Sequence, residues 1–566
     1  MRVVCLEIPL GMAVVNCSKG KEMMNGSKRC LSHCIQRALL AVWLLGVWGC
    51  ASLQQRTAYD YQHHQLVIHK DGAAIASPTR QEAFSKPSDK IDTNRILLQV
   101  AEVQQHIERT IISGIDAHVR SLSAAPSREC DGRLHLLIIV HGGMNGYDSS
   151  SKHVTDLMPS PISAPSDVVG SYQQQGVLNK SCYYPMFINW DSDFPDSIAD
   201  DLFRYRFGKH NASLATSTFP IVLGNRILAS AMSVPTAILH QGQTAWHGIS
   251  GAYEEGDPWL GIVGDTLLNL PAYGLGMAFL PFAEGIGSPA WGIMKKRVDD
   301  ATSVRTPAIS PGFKGAARTL MEALQARVVV DEACGRIQSR AVDGRRYCWS
   351  NSSTEVDITL VGHSMGAMVV NRLLDVMNDT HASASNRSLP ITRVVFLAPA
   401  CSINEAEQLL MPYLERHEQT HFWLFALNKR DESRQIPLNG WAVFLPRGTL
   451  LAWIDTFLEQ ETGPAEGRLG WAKALEDFYG TSSAPQPKRS LVEYFSRATS
   501  PFRPLNVLWA RANLRDRIHT YLSQRRVLNH GFAPEYHEDF LQPDHFANIL
   551  CQLDESAFKS SSVCRP

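Results

Sequence analysis

The stretch DITLVGHSMGAMVV, residues 357–370, decides the fold of this chain. An apolar, strand-like run ends at Gly362, and a run with helical spacing of apolar residues follows Gly366. Between them lies the pattern Gly-x-Ser-x-Gly, centred on Ser364. A sharp strand-to-helix turn strains the serine backbone and brings neighbouring backbones close, so the residues two before and two after the serine must be very small; here they are Gly362 and Gly366. The pattern predicts that the Ser364 hydroxyl is exposed above a sheet, at the positive end of the next helix.

Other apolar runs extend this pattern along the chain. They cover residues 133–140, 183–190, 392–399 and 421–428. Because the runs are apolar on both faces and helical patterns separate them, as at 364–378 and 404–417, they indicate a parallel sheet that is buried on both sides. A further helix is predicted over 92–120. We therefore predict the α/β class, with a doubly wound, mostly parallel sheet whose functional residues lie at the carboxyl ends of its strands.

Residues 192–330 interrupt this alternation. Within them, residues 266–283 carry no charge, but Pro271 and Pro281 would each break a membrane-spanning helix. We interpret 192–330 as a large, mostly helical cap insertion. The two parts of the α/β core are then 91–191 and 331–566.

The N-terminal residues have the pattern of a targeting segment. Lys28, Arg29 and Arg37 precede an apolar run at 38–48, which is typical of a secretory signal over 1–49. Met23 or Met24 is an alternative start. The sequence VWGCAS (47–52) resembles a bacterial lipobox with Cys50 as the lipidated residue, while ordinary cleavage or a retained short anchor are alternatives.

The lipobox resemblance implies a protein of the bacterial cell envelope, either lipid-anchored in the membrane or secreted. Ala51 after the cysteine implies the outer membrane, on the periplasmic side. The polar residues 50–90 are predicted to form a flexible tether. The formal net charge of −1 argues against a nucleic-acid partner.

An exported chain can oxidise its cysteines. Cys401 is expected to be buried and free. The other cysteines after residue 50 suggest three pairs, although spacing alone leaves the connectivity open: Cys130 with Cys182, Cys334 with Cys348, and Cys551 with Cys564.

Four motifs together resemble the lipase and esterase type of serine hydrolase in the α/β-hydrolase superfamily. They are LLIIVHGGMNG (137–146), LVGHSMGAMVV (360–370), LFALNKRDE (424–432) and YHEDFLQPDHFANIL (536–550). They follow the order of that family: oxyanion loop, nucleophile, acid, histidine. The resemblance implies the α/β-hydrolase fold and cleavage of carboxylic, lipid-like esters through an acyl-enzyme. An acyltransferase or thioesterase on the same residues, or a non-catalytic envelope protein on a hydrolase fold, are the alternatives.

The resemblance also implies partners for Ser364. A serine hydroxyl needs a base, and the base needs an orienting acid. His537 is the favoured base and His530 the alternative, whereas His545 is expected in the closing helix and His363 to pack or to line the pocket. Asp431 is the favoured acid, with Glu432 as the alternative.

The oxyanion hole needs backbone N–H donors that point to the developing negative charge. Met365 is expected to supply one donor, and Gly143 or Met144 the other. Neither a His-Glu-x-x-His pattern nor a Cys-x-x-Cys pair occurs in the sequence, so no metal or cofactor is predicted.

Overall fold

A mostly parallel sheet forms the centre of this protein, as seen in the computed structural model. The structure describes chiefly residues 63–70, 100–124, 132–143, 182–206, 209–232, 287–303, 314–330, 346–380, 389–434, 450–459, 467–470, 502–505, 512–523 and 537–553, with isolated residues between them. All of these residues fall in one unit of the chain, Thr57–Pro566.

Thirteen strands are found among the described residues. They are β1 Gln65–Ile68, β2 Ala74–Ile75, β3 Leu134–Val140, β4 Tyr183–Trp190, β5 Tyr205–Arg206, β6 Lys209–His210, β7 Val328–Val330, β8 Tyr347–Trp349, β9 Val356–His363, β10 Ile391–Leu397, β11 His421–Ala426, β12 Phe502–Pro504 and β13 Ile518–Ser523. Nine of these form the central sheet in the order β12-β13-β11-β10-β9-β3-β4-β1-β2. Its seven inner strands are parallel, and the edge strands β2 and β12 are antiparallel.

The helices of the described residues lie mostly between these strands. They are α1 (Val100–His106, a π-helical stretch Ile107–Ile112, and Ser113–Ala124), α2 Phe194–Phe203, α3 Ala212–Met232, α4 (287–302), α5 Ala316–Arg327, α6 Gly366–Thr380, α7 (Ile403–Glu405, a π-helical stretch Ala406–Leu410, and Met411–Arg416), α8 Lys429–Arg434, α9 (Leu450–Trp453 and a π-helical stretch Ile454–Leu458) and α10 Pro543–Leu553. Two 3₁₀ segments are Ala512–Arg517 and His537–Leu541.

The sequence prediction of an α/β class with a mostly parallel sheet is confirmed. Every residue of β3, β4 and β9 is buried, which is why each strand is a continuous apolar run in the sequence. The strands β10 and β11 and the helices α6 and α7 also lie where the periodicity placed them. Helix α1 confirms the described part of the helix predicted over 92–120.

The prediction of a flexible tether over 50–90 is wrong at Gln65–Ile68. These residues form β1, which is fully buried and pairs in parallel with β4. Just before the strand, the His64 ring forms a hydrogen bond with the Pro185 carbonyl at 2.7 Å. The four-residue run is too short to give a periodic signal, and its partner strand lies more than a hundred residues away.

The range 192–330 contains elements that belong to the core. Helices α4 and α5 bury Trp291, Met294, Leu320 and Leu324 in the same apolar cluster as the central strands. The uncharged stretch 266–283 lies outside the described residues. No helix of the described part is both long enough and apolar enough to cross a membrane.

The cysteines are partly described. Cys401 is buried and free, as expected. Cys182, Cys348 and Cys551 are disulfide-bonded, with partner cysteines outside the described residues, so the pairing stays a prediction. Cys50 also lies outside the described part of the chain.

A buried charged cluster ties three neighbouring strands together. Asp357 of β9 lies opposite His135 of β3 in the strand register, at 3.2 Å from the His135 ring. Arg393 of β10 donates to the same carboxylate at 3.0 Å. Burial opposes ionisation of Asp357, but the His135 hydrogen bond and the Arg393 charge outweigh it, so the pKa of Asp357 lies well below its usual range.

We expect Asp357→Asn to lower the free energy of unfolding by about 3 kcal/mol, because the substitution removes the buried carboxylate charge that binds His135 and the partly buried Arg393. Urea unfolding at pH 7 measures this loss. The control is Asp299→Asn, which removes a largely exposed ion pair with Arg372 and should cost less than about 1 kcal/mol. The contribution of Asp357 should persist above about pH 4 and disappear at lower pH, because its pKa is lower in the folded state. Equal losses of unfolding free energy in Asp357→Asn and Asp299→Asn would contradict a stabilising role of the buried cluster around Asp357.

Candidate active site

Ser364 lies in a strained turn between β9 and α6. Its φ angle is +52°, which a residue with a side chain rarely adopts. The Ser364 N–H donates to the Leu397 carbonyl at 2.9 Å, and the Ser364 carbonyl accepts from the Ala400 N–H at 3.0 Å. The last residue of β10 and the loop after it therefore hold both polar backbone groups of the serine, and such support is what allows backbone strain to persist.

The two glycines of the pattern are required by close packing, as the sequence interpretation proposed. A Cβ atom on Gly362 would lie 2.6 Å from the Ala367 Cα atom. A Cβ atom on Gly366 would lie 2.7 Å from the His141 carbonyl oxygen and still closer to the Val140 carbonyl oxygen. Both obstacles are backbone atoms, which cannot rotate away as a side chain can.

We expect Gly366→Ala to destabilise the fold by about 2 kcal/mol or more, since α6 would have to move away from β3. Thermal and urea unfolding measure the effect. Gly292→Ala is a matched control on α4, because no atom lies within 4 Å of the new methyl group. There the helix propensity of alanine should give a neutral or stabilising change of about 0.5–1 kcal/mol. A Gly366→Ala variant with the stability of the wild type would contradict the close packing of Gly366 against β3.

The expectation of an exposed Ser364 hydroxyl is wrong in this structure. The residue is only 1% exposed, and its Oγ atom has no hydrogen-bond partner among the described residues. The turn brings the serine to the carboxyl edge of the sheet, but the segments that pack over this edge decide its exposure. One of them is the loop after β3, where a Cβ atom on Gly142 would lie 2.7 Å from the Ser364 Cβ atom.

The loop after β3 also brings a second predicted donor to the site. Gly143 lies beside the Met365 side chain, where a Cβ atom on the glycine would lie 2.9 Å from the Met365 Cγ atom. The N–H groups of Gly143 and Met365 donate to no acceptor among the described residues. These two groups are therefore available for a developing oxyanion. Met144, the alternative donor, lies outside the described residues.

His141 fixes the conformation of this loop. The Trp190 N–H donates to His141 Nε2 at 3.0 Å, so the ring proton lies on Nδ1, which donates to the Gly142 carbonyl at 2.6 Å. The Ser192 hydroxyl donates to the same carbonyl at 3.2 Å. The loop that carries Gly143 is thus anchored to the end of β4.

His537, the favoured base, lies beside His363, the residue that precedes Ser364. Its ring centroid is 5.1 Å from that of His363, and its carbonyl is 2.8 Å from His363 Nε2. Both His537 ring nitrogens are buried and have no hydrogen-bond partner among the described residues. The base thus reaches the neighbourhood of Ser364, but the two side chains form no hydrogen bond in this structure. His530 lies outside the described residues, and His545 lies in α10 as expected.

Asp431, the favoured acid, is buried at the start of α8, directly after β11. Its carboxylate accepts from the Asn428 amide at 2.6 Å, and its N–H donates to Asn428 Oδ1 at 3.0 Å. The Asn428 amide also donates to the Ser523 carbonyl at 3.2 Å, which links β11 to β13. No hydrogen bond among the described residues joins Asp431 to His537. Glu432, the alternative acid, is also buried.

The imidazoles around the serine are held in their neutral form. Burial lowers the pKa of His141 to about 3 and that of His363 to about 4. Burial, together with the neighbouring His363, lowers the pKa of His537 well below its usual value. The described residues contain no group of side chains that could hold a metal ion.

No sequence pattern identifies the residues that support the turn from behind. The loop after β10 contains a second strained residue, Ala398, with a φ angle of +42°. Arg468, which is 1% exposed, donates to the Ala400 carbonyl at 3.2 Å and forms an ion pair with Glu459 at 3.0 Å. A lone arginine some hundred residues after the serine has no pattern that could identify this role.

Arg468 also borders a polar cavity of about 300 Å³ between α4, α6 and α7. Lys295, Glu405 and Glu459 line it as well, but Ser364 does not. The candidate active site is therefore defined by the turn and its donors, and this cavity is a separate feature.

In comparisons with known proteins, no family model, no curated protein and no solved structure matches this chain.

The buried imidazole of His141 should make the stability depend on pH. Since its pKa is lower in the folded state, the unfolded chain binds more protons below about pH 6.5, and acid destabilises the fold. His141→Gln removes this titration. As the pH falls from 6.5 to 4.5, the free energy of unfolding of the wild type should therefore decrease relative to that of the variant by about 1 kcal/mol per pH unit. Urea unfolding across this range is the measurement. The exposed His421, replaced by Gln, is the control; an equal shift there would contradict the prediction.

Proposed function

We propose that this chain is a serine hydrolase of the α/β-hydrolase superfamily that cleaves carboxylic, lipid-like esters. The observation that carries the proposal is the strained backbone of Ser364, at the carboxyl end of a central parallel strand and between two glycines that have no room for a side chain. Strain of this kind clusters at functional sites. The strand, turn and helix around the serine are also the context that distinguishes a nucleophile from a chance match to the pattern.

In the proposed reaction, Ser364 Oγ attacks the ester carbonyl carbon while His537 takes the hydroxyl proton. The N–H groups of Met365 and Gly143 donate to the carbonyl oxygen as it gains negative charge. The tetrahedral intermediate collapses when the C–O bond to the alcohol breaks, and His537 returns the proton to the leaving alkoxide oxygen. A water molecule then attacks the acyl carbon while His537 takes its proton. The bond to Ser364 Oγ breaks and His537 returns the proton to this oxygen, which releases the acid and restores Ser364.

The His537 imidazole is in the protonation state that a base requires. A general base must be neutral before it accepts a proton, and burial keeps this imidazole neutral at physiological pH. Catalytic hydrogen bonds are often long or poorly aligned in unliganded enzymes and tighten when substrate binds. A small rotation of the His537 ring toward Ser364 is part of the proposal.

Asp431 is the proposed acid that orients the imidazole and stabilises its charged form. Its burial after β11, two strands from the nucleophile strand, supports this role. Asn428 holds the Asp431 carboxylate in place.

The proposal includes a cap in the range 192–330 and export of the chain as a bacterial lipoprotein that is acylated at Cys50. The disulfide-bonded cysteines 182, 348 and 551 support export, since disulfides persist in oxidising compartments. The partners we propose are the ester substrate and the membrane that holds the lipid anchor.

A fluorophosphonate probe tests the nucleophile directly. We expect the purified wild-type protein to be labelled, Ser364→Ala to be unlabelled, and the exposed-serine control Ser121→Ala to be labelled at the wild-type rate. Mass spectrometry should place the adduct on Ser364. An unlabelled wild-type protein that is folded by its unfolding transition would contradict the hydrolase proposal and favour a non-catalytic protein.

Steady-state kinetics on p-nitrophenyl esters test the base and the substrate class. His537→Ala should lower kcat at least about 10³-fold, whereas His530→Ala and the exposed control His421→Ala should retain activity. Rates should rise from acetate to longer acyl chains. Loss of activity in His530→Ala alone would transfer the role of base to His530, and a preference for acetate would count against a lipid-like substrate.

A further inference from the structure

The side chain of His363 connects two parts of the site that are far apart in the sequence. It is the last residue of β9 and is followed directly by Ser364. Its Nε2 atom lies 2.8 Å from the carbonyl oxygen of His537, which opens the 3₁₀ segment His537–Leu541. The strand that carries the nucleophile is thus joined to the segment that carries the proposed base.

The direction of this hydrogen bond fixes the tautomer of His363. A carbonyl oxygen can only accept, so Nε2 must carry the ring proton. Nδ1 then has a lone pair and no proton, and it has no hydrogen-bond partner among the described residues. The ring is 3% exposed, and burial lowers its pKa to about 4, so this neutral tautomer persists at physiological pH.

The opposite side of the ring faces the loop after β3. A Cβ atom on Gly142 would lie 2.9 Å from His363 Nδ1 and 2.7 Å from the Ser364 Cβ atom. The ring is therefore packed between the oxyanion loop on one side and His537 on the other, and it has little freedom to rotate.

His537 is buried, but its ring forms no hydrogen bond among the described residues, so no such bond sets the orientation of the ring there. The His537 carbonyl does have a described polar contact: it accepts a hydrogen bond from His363 Nε2. A backbone contact of this kind constrains the position of the residue and forms no hydrogen bond with the ring.

We propose that His363 is a positioning residue for the hydrolysis: its Nε2–H group holds the His537 backbone so that the imidazole stays within reach of Ser364, while its ring packs against Gly142 of the oxyanion loop. This inference rests on the proposed function and on His537 as the base. His363 takes no proton from the substrate or from Ser364, so its contribution is to geometry. Small displacements of a catalytic group typically cost about 10²-fold in rate, which sets the size of the expected effect.

A pair of amide substitutions tests the role of the Nε2–H donor. His363→Gln places an amide donor near the position of Nε2, whereas the shorter His363→Asn places it near Nδ1, where it cannot reach the His537 carbonyl. We expect the glutamine variant to keep kcat within about tenfold of wild type and the asparagine variant to lose about 10²-fold, with KM nearly unchanged in both. His363→Met has a comparable size and no donor, and it should behave like the asparagine variant.

Thermal unfolding shows whether each variant is folded, and titration with the fluorophosphonate probe gives the concentration of active sites. Each kcat is then calculated per active site. Equal kcat in the glutamine and asparagine variants, or a loss confined to KM, would overturn the positioning role, and so would a methionine variant with wild-type kcat. Failure of the hydrolase proposal has a different signature, because the wild-type protein would then be unlabelled. If His537→Ala stays active, His537 is not the base and the inference about His363 fails with it.

Discussion

The site depends on one constraint, which is the positive φ angle of Ser364. A strained residue keeps its conformation only when its surroundings hold it there, and here the Leu397 carbonyl and the Ala400 N–H bind its two backbone groups. The loop that supplies these groups is itself strained at Ala398 and is held in turn by Arg468. Two adjacent strands thus end in strained turns that support each other, and buried ion pairs brace them from behind.

The parallel sheet explains how distant segments meet at this turn. Neighbouring parallel strands end at the same edge, so the segment after β3 lies beside the segment after β9 although more than two hundred residues separate these two strands. The loop after β3 brings Gly142 and Gly143 against Ser364 and Met365. The contacts of both pattern glycines show how tight this edge is: Gly362 packs on α6, and Gly366 packs on the backbone of β3.

Burial decides the electrostatics of the site. His141, His363 and His537 are buried, and burial keeps each imidazole neutral. For His141 and His363, a hydrogen bond also selects which ring nitrogen carries the proton, because one ring nitrogen of each faces a backbone carbonyl. A neutral, desolvated site suits the proposed hydrolysis, in which charge would develop on the substrate oxygen and on His537 in the transition state.

The sequence by itself determined the central strands β3, β4, β9, β10 and β11, the helix after the serine, and the glycines that the turn requires. These features depend on periodicity and on local backbone geometry, which neighbouring residues encode. Only the tertiary structure decided that β1 joins the sheet, that Ser364 is covered, that Arg468 braces the turn, and that His363 binds the His537 backbone. Each of these depends on contacts between segments that are distant in sequence, and a single chain shows no local pattern for such contacts.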